Sequence, residues 1–376
     1  MNDIQMVDLK GQYQKIKDKV DEGIAEVINS AAFINGPRVK SFQEDLEQYL
    51  GSKHVIPCGN GTDALQIAMM ALGLKPGDEV ITTTFTFVAT AEVIALLGLV
   101  PVLVDVDLDT YNISVDSMKA AITEKTRAIV PVHLYGQCSN MEEILAIADE
   151  KCLFVIEDTA QAIGADFTYK NGTVKKAGTM GIIGCTSFFP SKNLGCYGDG
   201  GAIYTDNDKL ADKIRMIVNH GMKVRYYHDE IGVNSRLDSI QAAILGVKLQ
   251  ELDGYNAARR FAADYYDTAF ASCDKIIPPA RAPYSTHVFH QYTMRVVGVD
   301  RDALQAFLSE HKVPAMIYYP VPLHQQKAYK DDRYNDGDFP TSELLSKEVI
   351  SLPMHTELTE EQLHFITSKV LEFVNK

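Results

Sequence analysis

The sequence has few of the features that mark nucleic-acid-binding or membrane proteins. It contains no basic run, and its formal net charge is −14 at pH 7, which argues against binding to a phosphate backbone. It contains no charge-free apolar stretch near the roughly 20 residues that a membrane-spanning helix needs. Residues 1–10 lack an apolar signal region. We therefore expect neither nucleic acid nor a membrane span, and we expect a cytoplasmic protein.

Paired cysteines and nucleotide-binding glycine motifs are missing as well. The six cysteines show no CxxC spacing, and most lie in or beside apolar segments, which favours buried free thiols. The glycine turn at 59–62 has neither the GxxxxGKS/T spacing of a P-loop nor the GxGxxG spacing of a dinucleotide site. Because His287 and His290 would point to opposite faces of a strand, they predict no metal site.

Short apolar runs alternate with helical stretches between about residues 50 and 205. Strands of four to six residues separated by helices indicate βαβ units and a mainly parallel sheet in an α/β fold. In such sheets, ligands collect at the carboxyl ends of the strands. The predicted strands are 53–57, 79–82, 100–104, 128–133 and 153–156, and the predicted helices are 62–72, 89–97, 115–122 and 141–150.

The rest of the chain predicts a second, smaller domain. A chain of 376 residues is long for a single core, so we expect two domains, at 1–254 and 255–376. Residues 238–269 are strongly helical and apolar on two sides, which indicates coverage by the chain's own core and by a partner subunit. Further segments that indicate an α+β unit are a strand at 291–297 and helices at 301–309 and 360–373.

The candidate chemistry centres on a lysine and an aspartate that follow two apolar runs. The segment 181–195 reads as a strand that leads to Lys192 and a glycine turn, and the run 152–158 ends in Asp158. Burial favours the neutral amine, which is a nucleophile that can form a Schiff base. A carboxylate beside such a lysine can pair with a pyridinium nitrogen. The two residues together are the pair that a pyridoxal 5′-phosphate (PLP) site requires, although Asp158 alone could equally be a helix cap.

Other polar groups follow the same predicted strands. Gly61 and Thr62 open a helix after a strand, where free amides and the helix dipole can bind an anion, and Thr62 could cap that helix. The turn alone could be purely structural, but beside a PLP-type lysine it becomes a phosphate cup. Ser187 could hydrogen-bond the same phosphate. Residues 198–201 lack nucleotide-loop spacing and indicate a hairpin turn that leads away from Lys192.

Two more side chains could face the same site. Phe87 follows the second predicted strand and could stack on a flat ring, or it could be a core aromatic. Gln161 lies three residues after Asp158 and would face the same site if a helical turn begins there.

In this order the motifs closely resemble the DegT/DnrJ/StrS family of PLP-dependent nucleotide-sugar aminotransferases. The resemblance implies a fold-type-I PLP-dependent transferase of the aspartate-aminotransferase type, and a homodimer whose active sites are shared between subunits. Within the family, 188–201 and 319–323 are most similar to the 3-aminotransferases that act on UDP-2-acetamido-2-deoxy-3-oxo-glucuronate. The resemblance covers nearly the whole chain and rests on the segments 8–10, 36–37, 59–65, 77–81, 131–137, 156–158, 187–192 and 234–238.

The resemblance also implies roles for single residues. Lys192 matches the family's Schiff-base lysine, and Asp158 matches the partner of the pyridinium nitrogen. Gln161 would lie near the ring hydroxyl, and Phe87 would stack on the ring. The remaining cofactor contacts implied by the resemblance are Gly61, Thr62, Ser187 and, from the neighbouring subunit, Asn234. The implied substrate contacts are Arg236, Tyr318, Tyr319 and His324, of which Tyr318 and His324 differ among relatives.

The implied reaction moves an amino group from L-glutamate to the C3 ketone of a nucleotide-linked sugar, for lipopolysaccharide or O-antigen biosynthesis. Two alternatives stay open: an aminotransferase for a dTDP-3-keto-6-deoxyhexose, and a regulatory protein that binds PLP without turnover. A uronate needs a cationic partner for its carboxylate, whereas a deoxyhexose suits an apolar pocket. Arg236 is common across the family and does not decide between the two sugars. Family dehydratases carry histidine in place of the lysine, so Lys192 argues against them.

Overall fold

A computed structural model describes residues 3–375 as alternating helices and strands. The strands are β1 (His54–Cys58), β2 (Glu79–Thr83), β3 (Val100–Val104), β4 (Thr126–Ile129), β5 (Phe154–Asp158), β6 (Asp166–Thr168), β7 (Val174–Lys176), β8 (Ile183–Ser187), β9 (Gly201–Thr205), β10 (Met222–Val224), β11 (Tyr227–His228), β12 (Ile276–Ile277), β13 (Tyr292–Val296) and β14 (Val349–Leu352). The α-helices are α1 (Leu9–Ser30), α2 (Pro37–Leu50), α3 (Gly61–Leu72), α4 (Ala89–Leu96), α5 (Val115–Ala120), α6 (Met141–Lys151), α7 (Asp208–Ile217), α8 (Ser239–Leu249), α9 (Leu252–Phe270), α10 (Arg301–Glu310), α11 (Pro340–Glu348) and α12 (Glu360–Val374). Short 3₁₀ turns lie at Leu134–Gly136, Leu323–Gln325 and Lys327–Tyr329.

Seven strands form one large sheet in the order β1-β9-β8-β5-β4-β2-β3. From β8 to β3 every neighbouring pair is parallel, and only β9 runs against both of its neighbours. The predicted mainly parallel sheet is therefore confirmed. Because the other six strands run the same way, their carboxyl ends meet at one edge of the sheet.

Helices cover both faces of this sheet because its strands carry apolar side chains on both faces. In a strand, successive side chains point to opposite faces, so a strand buried on both faces reads as an apolar run. On one face, Ile156 and Ile183 pack in a cluster with residues of α3 and α7. On the other face, Val55 and Tyr204 pack in a cluster with residues of α2 and α8.

Three predicted elements differ from the structure. Strand β4 ends at Ile129 instead of 133, because the chain then enters the 3₁₀ turn Leu134–Gly136. The helical stretch 238–269 is two helices, α8 and α9, separated at Gln250 and Glu251. The predicted hairpin turn at 198–201 is wrong, because the antiparallel strands β8 and β9 are joined by the whole loop 188–200.

Gly201 is the first residue of β9 instead of a turn residue. It pairs with Cys58 of β1 on one side and with Ser187 of β8 on the other. A Cβ atom at Gly201 would lie 2.5 Å from the backbone of Asn60, so the glycine is required by close packing.

The C-terminal part contains a second, antiparallel sheet in the order β12-β13-β14. Tyr266 of α9 and Tyr292 of β13 are buried in its core together with residues of α10 and α12. Ile4 packs into the same cluster, so the first residues that the structure describes contact this second core. No helix within residues 3–375 has the length and apolar character needed to cross a membrane.

Candidate active site

Lys192 lies in the loop 188–200, five residues beyond the end of β8 and not at the strand end itself. Its backbone N–H donates to the carbonyl of Phe189 at 2.8 Å, and Cys196 N–H donates to the carbonyl of Phe188 at 2.8 Å. A Cβ atom at Gly195 would lie 2.4 Å from the carbonyl oxygen of Pro190. The loop is therefore a tight, internally bonded turn that holds Lys192 partly buried at the carboxyl edge of the sheet.

The environment of Lys192 favours its neutral amine. Burial lowers the pKa of the Lys192 ammonium to about 8, and the charge of Asp158 opposes this shift in part. With a pKa of about 8, about one amine in ten is neutral at pH 7. Such an amine is a ready nucleophile toward an aldehyde and a proton carrier near neutral pH.

Asp158 ends β5 and is buried. Its Oδ2 accepts a hydrogen bond from Thr90 Oγ1 at 2.8 Å, and its Oδ1 accepts one from the Ala160 N–H at 3.1 Å. The parallel pairing of β5 and β8 places Asp158 opposite Cys185, close to the start of the loop that carries Lys192. Each oxygen is thus oriented and retains a lone pair for a cationic partner.

Gln161 connects the turn after Asp158 to an aromatic wall. Its Oε1 accepts from the Tyr135 N–H at 2.7 Å, and its Nε2 donates to the Tyr319 hydroxyl at 3.1 Å. The ring of Tyr319 lies 6.4 Å from the ring of Phe87, centre to centre. Because Phe87 is 55% exposed, it is not a core aromatic, and its ring is accessible to a flat ligand.

The turn before α3 has the free amide groups expected of an anion site, but its cap differs from the prediction. The Asn60 side chain, not that of Thr62, caps α3 by accepting from the Asp63 N–H at 2.8 Å. The first N–H groups of the helix, at Gly61 and Thr62, have no acceptor within the helix. A Cβ atom at Gly61 would lie 2.7 Å from the Cβ of Ser187, so the glycine brings the turn against that serine. The structure thus places all three predicted phosphate contacts together.

The segment that carries Asn234 and Arg236 lies beside this turn in its own chain. Ser235 Oγ accepts from the Gly59 N–H at 2.9 Å, a contact that the sequence did not suggest. Arg236 donates to Asn219 Oδ1 at 3.2 Å, and Asn234 is exposed. Contact of Asn234 with a neighbouring subunit remains a prediction.

His324 is placed differently from a substrate contact. It is buried, with Nδ1 at 2.8 Å from Thr84 Oγ1 and Nε2 at 3.2 Å from Glu343. Both ring nitrogens are thus engaged within the chain, which favours a supporting role over direct contact with a ligand. The carbonyl of Tyr318 accepts from the Tyr135 hydroxyl, which fixes the backbone beside Tyr319.

The structure contains a buried acid–histidine pair next to Asp158, formed by Glu157 and His133, which the sequence analysis did not identify. His133 Nε2 lies 2.8 Å from Glu157, and Ser139 N–H donates to His133 Nδ1, so Nε2 carries the proton and donates. A carboxylate inside the apolar run 152–158 was a usable signal, because a buried charge needs donors. The backbone N–H groups that also donate to Glu157 are those of Gly178, Met180 and Gly181.

These groups fit PLP. The amine of Lys192 can hold its aldehyde, and the carboxylate of Asp158 can pair with its ring nitrogen. The exposed ring of Phe87 can stack on it. The cradle between Gly61 and Ser187, which a single Cβ would close, can take its phosphate. Among residues 3–375, no group of three or more His, Cys, Asp and Glu side chains could hold a metal ion.

The chain is similar to known proteins over nearly its whole length. Residues 14–371 match the DegT/DnrJ/EryC1/StrS aminotransferase family. The chain is 49% identical over 372 residues to a pleiotropic regulatory protein of Geobacillus stearothermophilus, with 98% of each chain covered. It is 46% identical over 363 residues to UDP-2-acetamido-2-deoxy-3-oxo-D-glucuronate aminotransferase of Pseudomonas aeruginosa, covering 96% of this chain and 98% of the other.

Solved structures agree in fold. A DegT DnrJ EryC1 StrS aminotransferase from Brucella abortus superposes with a TM-score of 0.93 at 41% identity, over 99% of this chain and 100% of the other. The structure of ntda from Bacillus subtilis with bound cofactor PMP superposes with a TM-score of 0.88 at 33% identity, over 96% of this chain and 82% of the other.

Proposed function

The chain belongs to the DegT/DnrJ/EryC1/StrS aminotransferase family, and from this premise we propose a reaction and a substrate for it. It is a PLP-dependent nucleotide-sugar aminotransferase, and we propose that it moves an amino group from L-glutamate to the C3 ketone of UDP-2-acetamido-2-deoxy-3-oxo-glucuronate. The observation that carries the chemistry is the Lys192 amine, with a pKa of about 8, beside the Asp158 carboxylate. The substrate rests on the 46% identical Pseudomonas aeruginosa enzyme of that name.

Bound PLP supplies an aldehyde that takes up amino groups and a ring that withdraws electrons. Lys192 would hold the cofactor through Nζ. Once displaced by the amino donor, Nζ would carry a proton from Cα of the donor to the carbon of the cofactor's former aldehyde, and it would carry a proton the opposite way when the ketosugar takes up the amino group. Asp158 would keep a proton on the ring nitrogen, and the hydrogen bond from Thr90 orients the Asp158 carboxylate for that role. The N–H groups of Gly61 and Thr62, with the Ser187 hydroxyl, bind the phosphate.

Two further side chains are proposed to complete the site. Phe87 would stack on the ring, and Gln161, which is held by Tyr135 and Tyr319, would lie near the ring hydroxyl. Arg236 is the cation proposed for the uronate carboxylate, since a guanidinium binds a carboxylate in a bidentate manner. Tyr318 and Tyr319 are proposed to line the sugar pocket.

The working unit is proposed to be a homodimer with shared sites, and an exposed hairpin supports this. Strands β10 and β11 form a hairpin that carries exposed apolar side chains next to exposed Asn234. Ile231, just beyond it, is 85% exposed, and a surface of this kind is typical of a protein interface. The exposed large apolar side chains of the hairpin are Val224, Tyr226 and Tyr227.

Two other functions have some support. A dTDP-sugar aminotransferase is favoured by relatives of that activity, including one from Aneurinibacillus thermoaerophilus at 39% identity. A regulatory role is suggested by the name of the Geobacillus stearothermophilus relative. The joint presence of Lys192, Asp158 and the phosphate turn supports turnover instead. The cytoplasmic location and the domain boundary at 254 remain predictions.

Turnover of matched ketosugars tests the proposal. The purified enzyme with PLP and L-glutamate is offered UDP-3-ketosugars with and without a C6 carboxylate, and a dTDP-3-keto-6-deoxyhexose. Formation of 2-oxoglutarate is measured. We expect the highest kcat/KM for the UDP-uronate. Preference for the dTDP sugar would support the first alternative, and no turnover of any ketosugar would support the regulatory one.

A further inference from the structure

Lys248, in α8, is a fully buried lysine that the proposed reaction does not use. Its side chain is 0% exposed. Within residues 3–375 no carboxylate lies within ion-pair distance of its ammonium, although most buried lysines are paired. Burial lowers the pKa of Lys248 to about 8, a sign that the charge is held in an unfavourable place.

A buried charge without a counter-ion reduces stability, and an apolar side chain of similar length would avoid that cost. The contacts of the ammonium indicate why a lysine stands here. Nζ donates a hydrogen bond to the carbonyl of Gly195, and it lies 5.4 Å from the centre of the Tyr197 ring. Both residues belong to the loop that carries Lys192, so α8 is connected directly to this loop.

Gly195 packs against the backbone of the turn that carries Lys192. A Cβ atom at Gly195 would lie 2.4 Å from the Pro190 carbonyl oxygen and 2.7 Å from that of Phe189. The Phe189 carbonyl also accepts the Lys192 N–H at 2.8 Å. A displacement of Gly195 would therefore move the backbone to which Lys192 is attached.

A second contact holds the loop from another side. Asn193 Nδ2 donates to Asn256 Oδ1 of α9 at 2.7 Å and to the Val288 carbonyl at 2.9 Å. These bonds restrain the middle of the loop, whereas Lys248 restrains its far end. Without Lys248, the Gly195 carbonyl would be buried and would lose its side-chain donor.

We propose that Lys248 is a positioning residue for Lys192: its hydrogen bond to the Gly195 carbonyl holds the loop 188–200 in the arrangement that aims the Lys192 amine at the cofactor. The proposal rests on the proposed role of Lys192. It concerns the backbone of the loop, however, and can be measured without turnover.

The test compares Lys248→Met, which removes the donor and the charge, with Lys248→Arg, which keeps both. Lys275→Met is the control for the loss of a lysine that donates to a backbone carbonyl, because Lys275, which is exposed, donates to that of Val374 at 2.7 Å in the C-terminal part. Hydrogen–deuterium exchange of the purified full-length proteins is measured at the amides of 189–196. In parallel, the visible absorption of the PLP-loaded proteins is titrated with pH, and kcat and KM are measured.

For Lys248→Met we expect the amides of 189–196 to exchange about tenfold faster than in the wild type. The pH midpoint of the visible absorption should shift. The value of kcat should be about tenfold lower, while KM changes less. Lys248→Arg keeps the donor and the charge and should remain close to the wild type in all three measurements. Lys275→Met should show none of these changes. Wild-type exchange and an unchanged midpoint in Lys248→Met overturn the proposal, as does the same effect in Lys275→Met.

A folding defect would not leave the question open. If Lys248→Met does not give a cooperatively melting protein, Tyr197→Leu removes the ring beside the ammonium and should still raise exchange at 189–196 about threefold. No increase there overturns the proposal. Absence of turnover in the wild-type enzyme would contradict the proposed function, while the exchange data would still decide the role of Lys248.

Discussion

Thr90 Oγ1 donates a hydrogen bond of 2.8 Å to Asp158 Oδ2, which connects the first turns of α4 to the carboxyl end of β5. Both residues are buried, so this bond is shielded from water. It is the side-chain contact that orients the carboxylate proposed to face the cofactor.

Replacement of Thr90 by valine should lower turnover while the fold is retained. The shape is kept and one hydrogen bond to a charged group is lost, which corresponds to about 1.5–3 kcal/mol, or about a tenfold to hundredfold loss in kcat. Steady-state kinetics with a ketosugar measures it. Thr82→Val is the control, because Thr82 donates to the Val130 carbonyl at 3.0 Å, away from Asp158. Equal losses in both variants would show a general packing effect.

Asp158→Asn should reduce turnover far more than cofactor content. The amide keeps the size of the side chain but cannot stabilise the charge on the ring nitrogen in the transition state. We expect a loss in kcat of more than about 100-fold, with bound PLP measured by absorbance close to the wild-type amount. Near-normal kcat in this variant would remove the carboxylate from the mechanism.

The rate at which the protein captures PLP should rise with pH through about 8. Burial lowers the pKa of Lys192 to about 8, so the fraction of neutral, nucleophilic amine increases as pH rises through that value and then levels off. Stopped-flow mixing of cofactor-free protein with PLP between pH 6 and pH 10 measures the profile. A midpoint near the ordinary lysine value would contradict the environment described for Lys192.

Lys192→Ala should show neither the visible absorption band nor turnover.

Gly61→Ala should weaken cofactor binding through a direct clash. The added Cβ would lie 2.7 Å from the Cβ of Ser187, so the turn and the serine must separate. We expect the Kd for PLP to rise at least about tenfold, which is about 1.4 kcal/mol. Gly254→Ala is the control, because a Cβ at this helical position meets nothing within 4 Å. Equal PLP affinity in Gly61→Ala and wild type would argue against the proposed phosphate cradle.

Mixed dimers test the shared site. Lys192→Ala and the double variant Asn234→Ala/Arg236→Ala should each be inactive or defective alone. After subunit exchange, shown by mass measurement, one site of each mixed dimer would have every wild-type part, so some activity should return. If exchange is shown and activity does not return, Asn234 and Arg236 act within their own chain, where Ser235 already contacts Gly59.

The large sheet could be predicted from the sequence because its strands are apolar on both faces. The ends of β1, β2, β3 and β5 were placed within two residues, since each apolar run stops at a polar or glycine residue. The same periodicity does not distinguish one long helix from two, so the break between α8 and α9 was missed. The periodicity also does not show where a strand ends and a loop begins, and Lys192 lies in such a loop, after the end of β8.

Most of what could not be predicted in the site concerns which group each polar side chain forms a hydrogen bond with. Asn60 and Thr62 are both good caps, and only the backbone geometry decides that Asn60 accepts from Asp63. His324 reads as a polar residue near a ligand, but tertiary packing brings Thr84 and Glu343 to its two nitrogens. Lys248 was not singled out from the sequence, because nothing in the helical pattern shows that its ammonium reaches the Gly195 carbonyl. Contacts between residues distant in sequence determine each of these outcomes.

The reversed strand β9 has a consequence for the evolution and engineering of this enzyme. Its first residue, Gly201, pairs with both Cys58 and Ser187, so the turn after β1 can close over it and meet the serine. We therefore expect the affinity for the cofactor's phosphate to depend on Gly201, which is not among the proposed phosphate contacts. Screens that vary only ligand-contacting positions would overlook it, and even an alanine at 201 should separate the two halves of the cradle.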